Sequence, residues 1–556
     1  MTRASILARG AQTRLRRLAS PLAAGRRLPR RVVSGLVIAP GDIRTADPTR
    51  AEDIYAGSLV FGGRMVSAEG RRPFDIPPPT ADFARELAGF SWLRHMRAAG
   101  TALARSNARA LIADFLAAEP RLRKGPAGEP AVAGRRILSW LAQAPFVLSG
   151  ADAAFYQTFM RGLSRDAATV ARRYGDAALA ARLTAGIALT ELALCADLGA
   201  PTLKRVSGNL ADEIARQIFP DGGHINRDPQ VLVDLLLDLL PLRQTFGARN
   251  QPAPPALLHA IDRMIPMLRL LRHGDGSLAL FNGMSLTEPD HLATVLAYGD
   301  GRGRALLNAP HSGYQRLEGA DAIVICDAGA PPPPPAAIAA HAGCLSFEFS
   351  AGRSRIVVNC GAPLPGKPSL RDAARQTAAH STLVIDNVSS SQFATTRGIE
   401  RILDGTIVAG PRTLTVDRRE QTDATVLDLS HDGYAATFGL IHTRRLMLSR
   451  DGRQLMGMDG LVAGKASGQR TPKRFDIRFH LHPDVRVDGD ATEEGLVLIV
   501  GGERISFDAK GASLSVEESV LFATPKGSQR TLQIVLSGDA VPNNSVEWSF
   551  TRPGTV

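Results

Sequence analysis

The stretch "AAHAGCLSFEFSAGRSRIVVNCG" (residues 339–361) decides how the second half of this chain must fold. Two short apolar, β-branched runs, "CLSFEFS" and "RIVVNCG", are separated by a Gly-containing turn. That spacing reads as two antiparallel strands joined by a hairpin. Polar residues stand at the strand edges: His341 before the first run, Asn359 closing the second, and His380 in "TAAHSTLVID" (377–386). Strands built for burial do not carry such residues without a reason.

Outward from this stretch, the same texture continues to the C-terminus. "DAIVICDAG" (321–329), "ATVLDLS" (424–430), "RFDIRFHLH" (474–482) and "TLQIVLSG" (531–538) are short, β-branched and separated by turns. This predicts an antiparallel β-sandwich over 311–556. Pro331 to Pro335 cannot lie in a central strand and reads as a surface loop in polyproline conformation. Toward the N-terminus the period changes to that of helices. In "ADFARELAGFSWLRHMRAAG" (81–100), Phe83, Leu87 and Phe90 recur at helical spacing. "DPQVLVDLLLDLLPLRQTF" (228–246) opens on Asp-Pro and is apolar nearly all round, as a buried helix is. The chain therefore divides into a basic tail (1–45), a helical domain (46–310) and the β-domain (311–556). "FGGRMV" is a turn and not a nucleotide cradle, and no P-loop, GxSxG or HExxH occurs.

The net charge of +12 suggests a nucleic-acid partner until it is located. Residues 1–31 hold nine arginines and no acid, so the rest of the chain carries 12 − 9 = +3. The excess belongs to a tail and not to a nucleic-acid-reading face; the tail reads as disordered or loosely helical, or as lying on an anionic membrane surface. The four cysteines lack CxxC spacing and read as buried thiols. The longest early apolar stretch, "VVSGLVIAP", has 9 residues, against the ~20 that span a bilayer.

The segments "PFDIPPP…FSWLRHMRAA", "DGGHINRDPQ", the quoted stretch, "TAAHSTLVIDN" and "GLIHTRRLML" resemble the heparinase II/III-like polysaccharide lyases. The resemblance runs over about 50–550 and implies an incomplete (α/α) toroid followed by an antiparallel β-sandwich, with a ligand groove between them. It implies cleavage of an acidic, uronate-containing glycan by β-elimination, in the cell envelope or periplasm. No clear signal peptide supports that compartment, and the cytoplasm is the alternative. The family's metal ligands, usually for zinc, fall on His341, Asn359 and His380. Asparagine is a weak zinc ligand, so a hydrogen-bonded polar cluster is the competing reading.

The resemblance places the family's carboxylate-neutralising Asn-His pair on Ala181 and Arg182, its toroid Tyr near Val231 and its first His on Ala339, none of them the usual residue. Other residues are candidates to take over. Arg182 offers a fork for a carboxylate. His224 and Tyr434 are candidates for moving the proton. Asn226 and Arg227, just ahead of a helix, and His442 and Arg444 in "GLIHTRR" are candidates for holding substrate. Paired carboxylates such as Asp221 and Asp228 would suit a hydrolase, but no spacing supports one. Two functions follow: an acidic-glycan lyase, or a glycan-binding or envelope scaffold protein that has kept the fold and lost the chemistry.

Overall fold

The computed structural model describes residues 33–553, apart from 178, 300–302, 366, 395–404, 466–467 and 490–494. The basic run over 1–31, and with it the expected membrane contact, lies outside the described residues. Helix α1 (Thr49–Tyr55) is followed by a hairpin, β1 (Ser58–Phe61) and β2 (Arg64–Ser67). Gly62 and Gly63, both at positive φ, form its two-residue turn. Next come α2 (Ala81–Gly89), α3 (Leu93–Ala99), α4 (Ala102–Leu122) and α5 (Pro130–Leu148). The series continues with α6 (Ala153–Arg173), α7 (Leu179–Cys195), α8 (Ala200–Gln217), α9 (Pro229–Ala248), α10 (Pro255–Leu270) and α11 (Pro289–Ala297).

These helices alternate between an inner and an outer layer. α5, α7 and α9 pack side by side and are buried on most of their faces. α6, α8 and α10 each bury one stripe against them, as amphipathic outer helices do. α9 starts at the expected Asp-Pro: the Asp228 carboxylate accepts the Gln230 N–H at 2.9 Å. The helix read across 81–100 is broken at Phe90, whose φ of 58° is left-handed. The Phe90 ring holds the break by stacking 5.0 Å from Trp92 and 5.6 Å from Phe74. A strap, residues 33–47, crosses the helices without forming one. The Val33 N–H donates to Ser164 Oγ at 2.8 Å, the Val37 N–H to the Cys195 carbonyl at 2.8 Å, and Gln143 to Asp42 at 3.1 Å.

The β-domain opens with β3 (Asn308–Ala309), β4 (Tyr314–Glu318), β5 (Ala322–Asp327), β6 (Phe347–Ala351), β7 (Ser354–Val358) and β8 (Leu383–Ile385). A small pair, β9 (Gln392–Phe393) and β10 (Ile407–Ala409), leads to β11 (Leu414–Glu420), β12 (Ala424–His431), β13 (Leu440–Ser449) and β14 (Gln454–Ala463). The rest are β15 (Arg474–Leu481), β16 (Arg486–Asp488), β17 (Gly495–Val500), β18 (Glu503–Lys510), β19 (Ser513–Leu521), β20 (Gln529–Asp539) and β21 (Asn544–Thr551). One sheet has nine strands in the order β19-β20-β15-β7-β6-β5-β4-β3, with β8 beside β15. The other has eight, in the order β11-β12-β13-β14-β21-β18-β17-β16. Their inner faces meet in one core where Trp548 stacks on Phe347 at 5.4 Å and meets Phe479 edge-on at 4.9 Å. Each such fully buried side chain contributes roughly 1.5–3 kcal/mol.

The stretch that opened the sequence analysis forms the β6–β7 hairpin, with Ala351 opposite Ser354. β6 starts at Phe347 and not at Cys344, because Leu345 is left-handed (φ 60°) and turns the chain just before the strand. At the proline run, Pro334 starts a short 3-10 helix, Pro334–Ala339, because its fixed φ presets the first turn.

Toroid and sandwich share a core. Residues of α9 and α10 pack with Tyr314, Ile325, Val358 and Leu521. Among the described residues no helix is long and apolar enough to cross a membrane.

Candidate functional site

Arg227 sits where the two domains join, and it is spent on joining them. It is buried and left-handed (φ 60°), and it pairs with Asp327. It also donates to the carbonyls of Ser312 (2.6 Å), Ala330 (3.0 Å) and Gly329 (3.2 Å) and lies 4.8 Å over the Tyr314 ring. Four of the five guanidinium N–H donors bond within the protein and the side chain is buried, so its expected substrate role gives way to an interdomain staple.

Neighbouring His224 is 1% exposed. Its Nδ1 is 2.6 Å from Asn226 Oδ1 and its Nε2 is 3.0 Å from Gln217 Oε1. Burial lowers its pKa to about 4, so the ring is neutral near pH 7, but both nitrogens are engaged by the protein. Asn226 Oδ1 also accepts the Asp228 N–H at 3.1 Å, which makes Asn226 part of the turn into α9.

Tyr434 differs most from its expected role. Its side chain is fully buried, and its hydroxyl donates to the Leu383 carbonyl at 3.0 Å. Burial raises its pKa, the wrong direction for a base. His442 and Arg444 point into the sandwich. His442 Nε2 lies 2.7 Å from Asp459, and Arg444 forks onto the same carboxylate at 2.8 and 3.0 Å. Arg444 also donates to the carbonyls of Leu345 (2.8 Å) and Ser381 (2.9 Å), tying β13 to the opposite sheet. The Trp548 indole N–H completes the set on Asp459 at 2.8 Å. Burial opposes the charge on Asp459, but Arg444 and His442 outweigh it and hold the carboxyl well below its usual range. These two positions brace the core and do not face a sugar.

Arg182 keeps some freedom. It donates to the Ala177 carbonyl at 3.0 Å and lies 3.5 Å from Glu213, with its side chain 29% exposed.

Of the three residues that the resemblance assigned to metal, two meet. His341 Nδ1 and His380 Nε2 are 3.1 Å apart, and His380 Nδ1 is 2.8 Å from the Gln376 carbonyl. Asn359 is committed elsewhere. Its Oδ1 accepts the Ser381 N–H at 2.9 Å, and its amide nitrogen donates to Glu348 at 3.2 Å. Glu348 explains why an asparagine stands here. It is fully buried and already takes Arg355 (2.6 Å), His273 (3.0 Å) and the Leu280 N–H (3.0 Å). Burial pushes Glu348 up, but Arg355 and His273 override it and hold its pKa at about 2. An aspartate at 359 would place a second charge against this carboxylate. Among the described residues no three His, Cys, Asp or Glu side chains stand together as a metal set. Two imidazoles and a committed amide do not fit zinc, which needs three protein ligands of the right type.

Near the joint stands Asp228, which the sequence presents as helix punctuation and as half of an unsupported carboxylate pair. Asp228 and Ala339 flank Gly283, so closely that a Cβ on Gly283 would meet both. Ala339 is the position matching the family's first histidine. Burial pushes the Asp228 pKa up to about 7; the Gln230 N–H opposes that and Asp234 adds to it. Its sequence signal, an Asp-Pro, is the ordinary one for a helix start and hid any other role.

The family described as "Heparinase II/III-like, C-terminal" matches residues 301–549. The chain is 31% identical over 529 residues to FtsZ-localized protein C of Caulobacter vibrioides (strain NA1000 / CB15N), covering 93% of this chain and 90% of that protein. Among solved structures, heparinase III superposes with a TM-score of 0.71 at 14% identity, over 94% of this chain and 87% of that one. A mutant of the heparan sulfate lyase HepC from Pedobacter heparinus gives a TM-score of 0.62 at 17% identity, over 98% and 89%. Toroid followed by sandwich is the shared fold.

Proposed function

The chain belongs to the heparinase II/III-like family, and on that premise we propose that it is a non-eliminating member, which grips an acidic, uronate-bearing glycan without cutting it. β-Elimination needs three things: neutralisation of the uronate carboxylate, a base for the weakly acidic α-proton, and an acid for the departing sugar oxygen. One observation carries the reading. The places where the resemblance puts the proton-moving Tyr and His, near Val231 and at Ala339, offer no proton-transfer group, and the residues that would replace them, His224 and Tyr434, have their polar atoms engaged inside the protein. Neutralisation remains available through partly exposed Arg182, but neither His224 nor Tyr434 is free to move a proton. An acidic glycan as ligand is supported by the fold shared with proteins named as heparinase III and heparan sulfate lyase. A scaffold role suits a relative named for where it localises and not for a reaction. We place this chain at the cell envelope, with its basic tail against the anionic membrane surface.

The test incubates the full chain with a panel of uronate polymers. It follows the ultraviolet absorbance of the unsaturated uronate end and, in parallel, co-sedimentation with the polymer. Binding with no growth in absorbance is expected; absorbance that grows with enzyme concentration would sink the proposal.

Asp228 favours a second reading, a lyase with an unusual base. A carboxyl poised near 7 beside Ala339 is suited to accept an α-proton. Under that reading, product forms and is abolished in Asp228→Asn with the circular dichroism unchanged.

A further inference from the structure

Away from the domain joint, the strap and the first helices bring four arginines together. Arg135 of α5 forks onto Asp238 of α9 at 2.7 and 2.6 Å, and Arg44 of the strap reaches the same carboxylate at 2.9 Å. Arg94 of α3 is only partly exposed, yet it donates to backbone carbonyls alone, Thr45 at 3.0 Å and Ser91 at 2.6 Å. Among the described residues no carboxylate lies within ion-pair distance of it. Arg50 of α1 is exposed beside it.

Two cavities meet at Ser91 between these groups. Among the charged groups, one is lined by Asp42, Arg44, Arg135, Glu191 and Asp238, the other by Arg50, Asp53, Glu86, Arg94 and His95. Three of the lining carboxylates have partners of their own, and exposed Asp53 stands at the rim beside Arg50. Asp238 is taken by Arg135 and Arg44, Asp42 by Gln143, and Glu86 by the Gly62 N–H. His95 is neutral near pH 7, its pKa lowered to about 4 first by burial and then by Arg94 and Arg50. Burial also weakens Arg94's hold on its proton; Asp42 opposes this, and Arg44, Arg50 and Arg135 all add to it. Arg44 and Arg135 are neutralised by Asp238, whereas among the described residues Arg94 and Arg50 have no carboxylate within ion-pair distance. His291, within electrostatic reach of Arg44 and Arg94, has a buried Nε2 with no hydrogen-bond partner.

We infer that the cleft at Ser91 is an anion-binding site in which Arg94 and Arg50 take a carboxylate, sulfate or phosphate group, while Asp238 holds Arg44 and Arg135 in place behind them. A partly buried guanidinium with only carbonyl partners gains a charge-assisted bond when an anion arrives. The inference deepens the glycan-gripping reading and rests on it for the choice of a sugar carboxylate as the ligand.

Calorimetric titration of the full chain with glucuronate, with sulfate and with inorganic phosphate tests it. At least one anion should bind, and binding should weaken tenfold or more in Arg94→Gln and in Arg50→Gln. Arg50 is exposed, so the second variant keeps the test alive if the first fails to fold. Arg445→Gln, an exposed arginine on the eight-stranded sheet, should bind like the parent. Glucuronate binding alone identifies a sugar carboxylate as the ligand group; sulfate or phosphate binding identifies an oxyanion ester. Unaltered affinity in both cleft variants, or no binding of any of the three anions, overturns the site. A uronate polymer titrated in parallel separates the two claims. Polymer binding that survives both substitutions removes the site alone, and a polymer that never binds removes the glycan reading.

Discussion

Arg444 has no exposed side-chain surface, and each of its three nitrogens donates to a buried acceptor. Removing one partner of such a buried set leaves the other charge unpaired, at a cost of about 3–5 kcal/mol. Arg444→Met should therefore lower unfolding stability by that order in denaturant titrations; an unchanged midpoint would mean that Asp459 is satisfied without it. The inward position of this residue was legible: His442 and Arg444 alternate with Leu446 and Leu448, the period of a strand's buried face. The partner was not, because Asp459 stands opposite Arg444 on β14, a strand with glycines where a period-2 reading expects bulk. Buried histidines set the pH response. His224 and His380 have pKa values lowered to about 4 and His480 to about 3, first by burial, from an ordinary 6.5. Their neutral forms stabilise the fold above pH 6.5, and that stability is lost as pH falls toward 4, by roughly 1.4 kcal/mol per pH unit for each group across its window. Glu191 and Asp228, both raised to about 7 by burial, act in the opposite direction but are outnumbered. The denaturant midpoint should drop steadily between pH 6.5 and 4.5; a flat profile would contradict these assignments.

At the scale of elements, strands with a clear buried face were legible, and those without one were not. β12, β15 and β20 follow the runs read from sequence. β19 is an edge strand with mixed exposure, "SLSVEESVL", and offers no clean apolar alternation to read. β14 carries Gly457, where an added Cβ would fall inside the Trp548 indole. Its lack of a side chain is thus a packing requirement of the partner strand β21. Gly457→Ala should overpack this layer and cost about 1–3 kcal/mol. The drop should appear in chemical unfolding together with a changed Trp fluorescence maximum; wild-type stability would show that the sheets can separate locally. The helix break at Phe90 escaped notice because the apolar spacing continues through it, and only the ring stack with Trp92 and Phe74 shows why the chain turns there.

At the scale of the molecule, the change of period near residue 310 was enough to order the domains, because helices and sheets bury residues at different spacings. The site was harder to read because availability depends on distant partners. Arg227 is consumed by Asp327, 100 residues away, and no local pattern announces that. With this staple and the shared apolar core, the two domains are expected to unfold as one cooperative unit. Arg227→Met should split a single calorimetric transition into two; one unsplit transition at the parent temperature would show that the apolar contact suffices. The central claim is that this lyase fold holds an acidic glycan and leaves it whole. It is tested most directly by the chain length of a defined uronate oligosaccharide recovered after prolonged incubation with the full protein. The account predicts that the oligosaccharide is retained by the protein and returns at its original length. Shortened products bearing an unsaturated end would contradict it.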